Sequence, residues 1–265
     1  HPQILHLMDK TACRAAQAAA AILREHYGHV QTQDIESKGR NDFVSFVDKL
    51  AEEAIIRTIR TDYPDHTFLA EEGGGNTGPG DVRWVIDPLD GTTNYLRSHP
   101  HFSVSIAAER KGQTVYGLVL DVMTNELFTA TKGGGAFCNG QRIFVSSTDI
   151  LSDALVLFGT PFRDTAVLRP FALQFAEIQS RVSDHRREGS AALDFAYVAA
   201  GRAEAFWEIG LKPWDLAAGA LLVKEAGGWA GDFYKDNDDI FRKTSLAVND
   251  ALTHGFRALF KGTCF

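Results

Sequence analysis

Apolar residues return along the chain with two different periods, and the change of period divides it into zones. Over residues 4–26, Leu5, Met8, Ala12, Ala15, Ala19, Ile22 and Leu23 recur at helical spacing, and Gly28 follows as a C-cap. Val47, Leu50, Ala51, Ala54, Ile55, Thr58 and Ile59 follow the i, i+3, i+4, i+7 template, which predicts a second helix over 47–62 that Pro64 stops. Phe68-Leu69-Ala70 predicts a short strand that delivers Glu71 and Glu72 to a glycine-rich loop over 73–80. Val82 and Trp84-Val85-Ile86 predict a buried strand that stops at Asp87. The period then changes. Strand-like runs over 102–108, 115–120 and 126–130, parted by Arg110-Lys111-Gly112 and Met123-Thr124-Asn125, predict an antiparallel meander. Asn139-Gly140 supplies the residues that a type I′ hairpin turn requires.

Beyond Asp149 the two periods alternate. Strands are predicted over 154–158, 203–209 and 245–248, with helices near 168–180, over 191–201 and 216–226, and from Ala251 onward. The mixture predicts the α/β class in its mixed α+β form, a layered sandwich with largely antiparallel sheets rather than a doubly wound parallel sheet. No repeat or linker interrupts the chain, so one domain over 1–265 is expected, with 1–145 and 146–265 as its subdomains.

Composition narrows the partners. The 265 residues carry a formal net charge of -7, which argues against a nucleic-acid-binding surface as the main activity. An acidic protein that binds phosphate esters does so through metals. The three cysteines, Cys13, Cys138 and Cys264, are too widely spaced for a zinc site or a disulfide framework, so a reducing cytoplasm is the expected location. The sequence contains no apolar run of membrane-spanning length, and the segment from His1 and Pro2 through His6 lacks the basic and apolar regions of an export signal.

The candidate chemistry centres on Asp87-Pro88-Leu89-Asp90-Gly91-Thr92-Thr93-Asn94. Two carboxylates three residues apart follow a strand, and Pro88 fixes φ and removes a backbone donor between them, so both acids are expected to point into one place. Gly91 permits a tight turn, and Thr92, Thr93 and Asn94 suit the N-cap of a helical turn whose free N–H groups face an anion. Carboxylates beside an anion hole call for a cation between them, and a hard divalent ion such as Mg²⁺, bridging Asp87 and Asp90 to a phosphate, is the simplest account. Asp-Pro and Asp-Gly taken singly are also ordinary turn dipeptides. Glu71, sixteen residues before Asp87, ends its own strand and is a candidate for the same metal site or for plain solvation. Asp215, in Trp214-Asp215, opens a helix of small apolar residues and reads equally as an N-cap.

The segment Asp87–Asn94 resembles the signature of the inositol monophosphatase family of Mg²⁺-dependent, lithium-sensitive sugar-phosphate phosphatases. Lys38-Gly39-Arg40-Asn41-Asp42 through Asp48, Ala70-Glu71-Glu72, Trp214-Asp215 through Gly228, and Gly189-Ser190-Ala191-Ala192-Leu193-Asp194 resemble further blocks in the family's order, the last in its bacterial wording. The resemblance implies an αβαβα sandwich, a homodimer, and two or three Mg²⁺ per active site. It implies that Glu71, Asp87 and the carbonyl of Leu89 hold one ion, that Asp87, Asp90 and Asp215 hold a second, that Thr92 orients the attacking water, and that Asp48 and Glu71 assist it. Substrate contacts are implied at Asp90, Gly91, Thr92, Gly189, Ser190, Ala191 and Glu208. Thr93-Asn94 resembles the inositol branch, so myo-inositol 1-phosphate is the expected substrate, with fructose 1,6-bisphosphate as the rival. Some bacterial relatives associate with the transcription machinery and assist ribosomal RNA synthesis, which makes such proteins a second class of expected partner, with Asp184-His185-Arg186-Arg187-Glu188 as a candidate surface.

Other motifs lead elsewhere. His99-Pro100-His101 has no third ligand at useful spacing, and Asp232, Asp236, Asp238 and Asp239 lack the glycine and closing glutamate of an EF-hand. The nucleotide-loop patterns G-x-G-x-x-G after a strand and G-x-x-x-x-G-K are absent, and neither Cys13 nor Cys138 is followed by the arginine of a cysteine-dependent phosphatase.

Overall fold

The computed structural model describes residues 2–39, 42–73, 80–235 and 239–265. Arg40 and Asn41, most of the glycine-rich loop, and Asp236 and Asp238 of the acidic segment lie outside the described residues. In chain order the elements are α1 (Pro2–His26), β1 (Ile35–Gly39), β2 (Asp42–Ser45), α2 (Phe46–Asp62), β3 (Thr67–Ala70), β4 (Val82–Asp90), α3 (Thr92–Leu96), β5 (Ser103–Arg110), β6 (Gln113–Asp121), β7 (Leu127–Thr131), β8 (Gly135–Cys138) and β9 (Gln141–Ile143). There follow β10 (Leu155–Phe158), α4 (Leu168–Gln179), β11 (Asp184–Arg186), α5 (Ala191–Ala199), β12 (Ala205–Ile209), α6 (Pro213–Glu225), β13 (Trp229–Gly231), β14 (Thr244–Val248) and α7 (Thr253–Leu259).

The long helices and the meander match expectation, and the layers are those of an αβαβα sandwich. A seven-stranded sheet runs β3-β4-β5-β6-β7-β8-β9, antiparallel except for β3 beside β4. A five-stranded sheet runs β11-β10-β12-β14-β13, with β10 parallel to both its neighbours. Helices α1 and α2 cover the outer face of the larger sheet, α5 and α6 fill the space between the sheets, and α4 and α7 cover the smaller sheet. Burial on both faces explains the unbroken apolar run of β4: Trp84 and Ile86 pack against α1 and α2, while Val85 turns toward α6.

Helix α6 sits centrally because its residues are small. A Cβ on Gly117 of β6 would lie 2.9 Å from the carbonyl oxygen of Ala218, and one on Gly219 would collide with the Phe195 side chain of α5. This helix begins at Pro213, three residues earlier than its apolar pattern predicts, with proline in the first turn where its missing N–H costs nothing. The Asn139-Gly140 turn behaves as expected, both residues having positive φ between the paired Cys138 and Gln141. Among the described residues, no helix is long and apolar enough to cross a membrane.

Candidate active site

Strand β4 does not stop at Asp87 as expected. It continues to Asp90, and a bulge in its pairing with β5 between Asp87 and Asp90 turns both carboxylates to the same end of the sheet. The Leu89 N–H donates to Asp87 Oδ1 at 3.0 Å, which locks the first acid across the proline turn. Gly91, not a threonine, caps the short helix α3 that follows, in the left-handed region at φ 95°. Its Cα faces the backbone carbonyls of Gly189 and His101, so a Cβ there would meet them at 3.1 and 3.2 Å. The side chain of Asn94 completes the turn by donating to the carbonyls of His101 at 2.8 Å and Glu188 at 2.9 Å.

These ties bring the two halves of the chain together. Ser190, before α5, donates its hydroxyl to Asp90 Oδ2 at 2.6 Å, and the Ala192 N–H reaches the same oxygen at 2.8 Å. Asp215 is the third residue of α6 and not its cap. Its Oδ2 accepts the Lys212 N–H at 2.7 Å, so it does the work of a capping box while its carboxyl also lines the pocket and hydrogen-bonds Asp87. Asp87, Asp90 and Asp215 each present a ligand atom, all within 4.8 Å of one another. Glu71 lines the same pocket from the end of β3, hydrogen-bonded to the Asp87 carboxyl, with Lys38 Nζ at 3.7 Å.

Crowded carboxylates with little water raise one another's proton affinity. Burial and then the neighbouring Glu71, Asp90 and Asp215 charges push Asp87 well above the usual carboxylate range. Burial and the Asp215 charge push Glu71 up to about 8, and burial and Asp90 push Asp215 up to about 7. Lys38, Arg163 and Arg187 offset only part of this repulsion, and an all-oxygen, buried donor set of this kind fits a hard divalent cation.

Asp48 stands just behind this cluster. As the third residue of α2 it accepts the Ser45 N–H at 2.9 Å and the Ser45 hydroxyl at 2.8 Å through Oδ2. Its Oδ1 is 3.5 Å from the Thr92 hydroxyl, which in turn donates to the Leu89 carbonyl at 3.1 Å. Glu72, beside Glu71, pairs with Lys38 at 2.5 Å, and its N–H is held by Glu52 Oε2 at 2.7 Å.

The pocket has a volume of about 500 Å³ and takes in Gly91, Gly189, Ser190, Ala191 and Glu208 with Glu71, Asp87, Asp90 and Asp215. Glu208 reaches it from β12, and burial followed by Asp215 pushes its carboxyl up to about 8. The sequence reading missed Asp194, a carboxyl only 1% exposed whose Oδ1 has no partner, together with Gly159, Arg163 and Arg187 in the wall. Asp194 was legible as part of its motif, whereas the arginines lie in segments with no periodic signal. In the candidate surface Asp184–Glu188, the exposed Asp184 and Arg186 pair at 2.5 Å on edge strand β11, His185 is buried, and the exposed Arg187 also lines the pocket.

The αβαβα layering around an acidic pocket at the strand ends defines the sugar-phosphate phosphatase type of fold. A profile of the inositol monophosphatase family matches residues 5–261, and the chain belongs to that family. Among curated relatives, the protein named Nus factor SuhB from Escherichia coli strain K12 is 49% identical over 230 residues, 86% of each chain. Its namesake from Pseudomonas aeruginosa is 43% identical over 257 residues, covering 95% of this chain and 94% of that one. Among solved structures, extragenic suppressor protein suhB from Bartonella henselae superposes with a TM-score of 0.92 at 38% identity, over 97% of this chain and 100% of the other. Inositol monophosphatase from Anabaena (Nostoc) sp. PCC 7120 gives 0.87 at 33% identity, over 98% and 97%.

Proposed function

We propose that this chain hydrolyses a phosphate monoester with Mg²⁺ and water, and that its substrate is myo-inositol 1-phosphate. The observation that carries the reading is the convergence of Asp87, Asp90 and Asp215 within 4.8 Å, with Glu71 beside them, in a family of phosphatases. Glu71, Asp87 and the Leu89 carbonyl would hold one ion, and Asp87, Asp90 and Asp215 a second. When bound, paired Mg²⁺ supplies an acidified water and charge stabilisation at the ester oxygens, chemistry that a phosphate monoester needs because it hydrolyses so slowly unaided.

The chain's own groups do the rest. Thr92 orients the water and takes up one of its protons as its own hydroxyl proton passes to Asp48 across the 3.5 Å between them, and Glu71 assists. No side chain becomes covalently linked to phosphorus. Glu208, with Gly189, Ser190 and Ala191, faces the leaving group, and a carboxylate suits a polyol because it only accepts hydrogen bonds. We further propose a single domain, a homodimer and a cytoplasmic location.

Phosphate release from myo-inositol 1-phosphate and fructose 1,6-bisphosphate, each with Mg²⁺, with EDTA, and with Mg²⁺ plus Li⁺, tests this. Metal-dependent turnover favouring the inositol ester supports it. Preference for the bisphosphate moves the substrate and keeps the chemistry.

A second reading rests on the relatives named Nus factor SuhB, 49% identical over 230 residues. In it the chain binds the transcription machinery in ribosomal RNA antitermination, with hydrolysis secondary. Co-purification with RNA polymerase that survives Asp87→Asn supports this role, and no co-purification of the wild-type chain removes it.

A further inference from the structure

Beside Glu208 the chain leaves no room for a side chain. Strand β10 ends at Phe158, paired in parallel with Trp207 of β12, and Gly159 extends that pairing by donating its N–H to the Trp207 carbonyl at 3.2 Å. A Cβ built on Gly159 would fall inside the Glu208 carboxylate, far within van der Waals contact of both its oxygens. The backbone here is not in the left-handed region, so no turn demands glycine at this position. The missing Cβ does.

Strand alternation explains why the two meet. Along β12, Ala205, Trp207 and Ile209 enter the core under α4 and α7, while Phe206 enters the core between the sheets. Glu208 shares the face of Phe206 and so reaches the pocket, lying flat against the Gly159 backbone at 9% exposure. Asp215 and Asp90 repel it and Arg187 and Arg163 attract it from the pocket side. The Gly159 backbone closes the other side.

We propose that Gly159 is a positioning residue for recognition of the leaving group: the volume its side chain would fill is the slot that holds the Glu208 carboxylate along the pocket wall. Held there, the carboxylate in its ionised form offers acceptors only, which selects a polyol with free hydroxyls over a leaving group that has none. The inference rests on the reading of Glu208 as a leaving-group contact.

The test compares wild type, Gly159→Ala, Glu208→Ala and the double variant as Mg²⁺-loaded enzymes. Each is assayed on myo-inositol 1-phosphate and on p-nitrophenyl phosphate, whose leaving group offers no free hydroxyls. Gly159→Ala is expected to lower the ratio of kcat/KM values for the two esters about tenfold, mainly through KM, as loss of one hydrogen bond to a charged group does. In the Glu208→Ala background the same substitution is expected to leave the ratio unchanged, because the clash is gone. Glu208→Asp, which withdraws the carboxylate by one methylene, is expected to restore part of the ratio in Gly159→Ala. An equal loss on both esters, or the same fall without Glu208, overturns the proposal.

A crystal structure of Gly159→Ala gives a readout independent of turnover. A displaced Glu208 carboxylate supports the slot, and an unmoved one overturns it, even if wild type hydrolyses neither ester and the proposed function fails. Should Gly159→Ala not fold, folding of the double variant supports the clash and its failure overturns it.

Discussion

The Ser190 hydroxyl reaches Asp90 Oδ2 at 2.6 Å across 100 residues of chain, and the Ala192 N–H shares the same oxygen. This pair of bonds fixes one acid of the larger sheet from the start of a helix that lies between the sheets. Asp90 at the same time presents a ligand atom to the cluster with Asp87 and Asp215. Partners of this kind orient a ligand without touching the metal, and their loss commonly costs 10- to 100-fold in metal affinity.

Ser190→Ala is therefore expected to raise the Mg²⁺ concentration for half-maximal stabilisation or activity by about tenfold or more. Saturating Mg²⁺ should recover most of the rate, because Ala192 still holds the carboxylate. Mg²⁺ titration followed by turnover and by thermal shift checks this. An unchanged midpoint would show that Ala192 suffices.

Asp87→Asn separates fold from chemistry. Asp87 is 1% exposed, and burial together with Glu71, Asp90 and Asp215 favours its neutral form, so the metal-free protein accommodates an uncharged amide of the same shape. The variant is expected to melt at or above the wild-type temperature in EDTA, to lose most of the Mg²⁺-induced shift, and to fall by about a thousandfold or more in turnover. Retained turnover would overturn the shared-ligand reading.

The pH dependence of stability follows from the same crowding. Glu71 and Glu208 are pushed up to about 8 and Asp215 to about 7, each above its value in an unfolded chain. The folded state then binds more protons than the unfolded state between about pH 4.5 and 8, so stability without metal falls as pH rises through that window. The sign is opposite to that of a salt-bridged carboxylate. In EDTA the melting temperature is expected to drop by roughly 5 °C between pH 5 and pH 8, and the gain on adding Mg²⁺ should be larger at pH 8, since the cation displaces those protons. A Mg²⁺ gain that shrinks with pH would contradict a metal held by these acids.

How much of this was legible in the sequence depends on where each signal lies. Helices α1 and α2 were written in their apolar spacing because each buries one stripe against one sheet face. The acids at Asp87 and Asp90 were legible because proline and glycine around them admit few backbone paths. The bulge that continues β4 past Asp87 was not, since a strand bent by an irregular pairing and a strand that ends look alike in one dimension. Asp215 read as an N-cap because a third-position acid also satisfies a free N–H at the helix start, here that of the N-cap residue Lys212. The short strands β11 and β13 take their places from neighbours in the five-stranded sheet, and three residues carry no period. Gly159 was invisible for a different reason, because its partner Glu208 lies far along the chain.

Thr92 and Asp48 give the sharpest test of the proton path. The Thr92 hydroxyl has two acceptors in this structure, the Leu89 carbonyl at 3.1 Å and Asp48 Oδ1 at 3.5 Å, and one proton cannot satisfy both. Asp48 meanwhile spends its other oxygen on Ser45 as a helix cap, and burial raises its pKa. Proton acceptance by Asp48 requires the hydroxyl to turn from the carbonyl toward Oδ1. Thr92→Ser keeps that rotor and is expected to retain activity within about tenfold, whereas Thr92→Val keeps the shape without the hydroxyl and should lose 10²- to 10⁴-fold in kcat, the usual span for a proton-transfer group. Asp48→Asn preserves an acceptor for the cap but cannot take the proton, so it should lose kcat on a similar scale with little change in KM. Combined with Thr92→Val it should cost no more than either change alone, as groups that act as one unit do. Additive losses in the double variant, read from kcat in saturating Mg²⁺, would place Asp48 outside the path and leave it as the cap of α2.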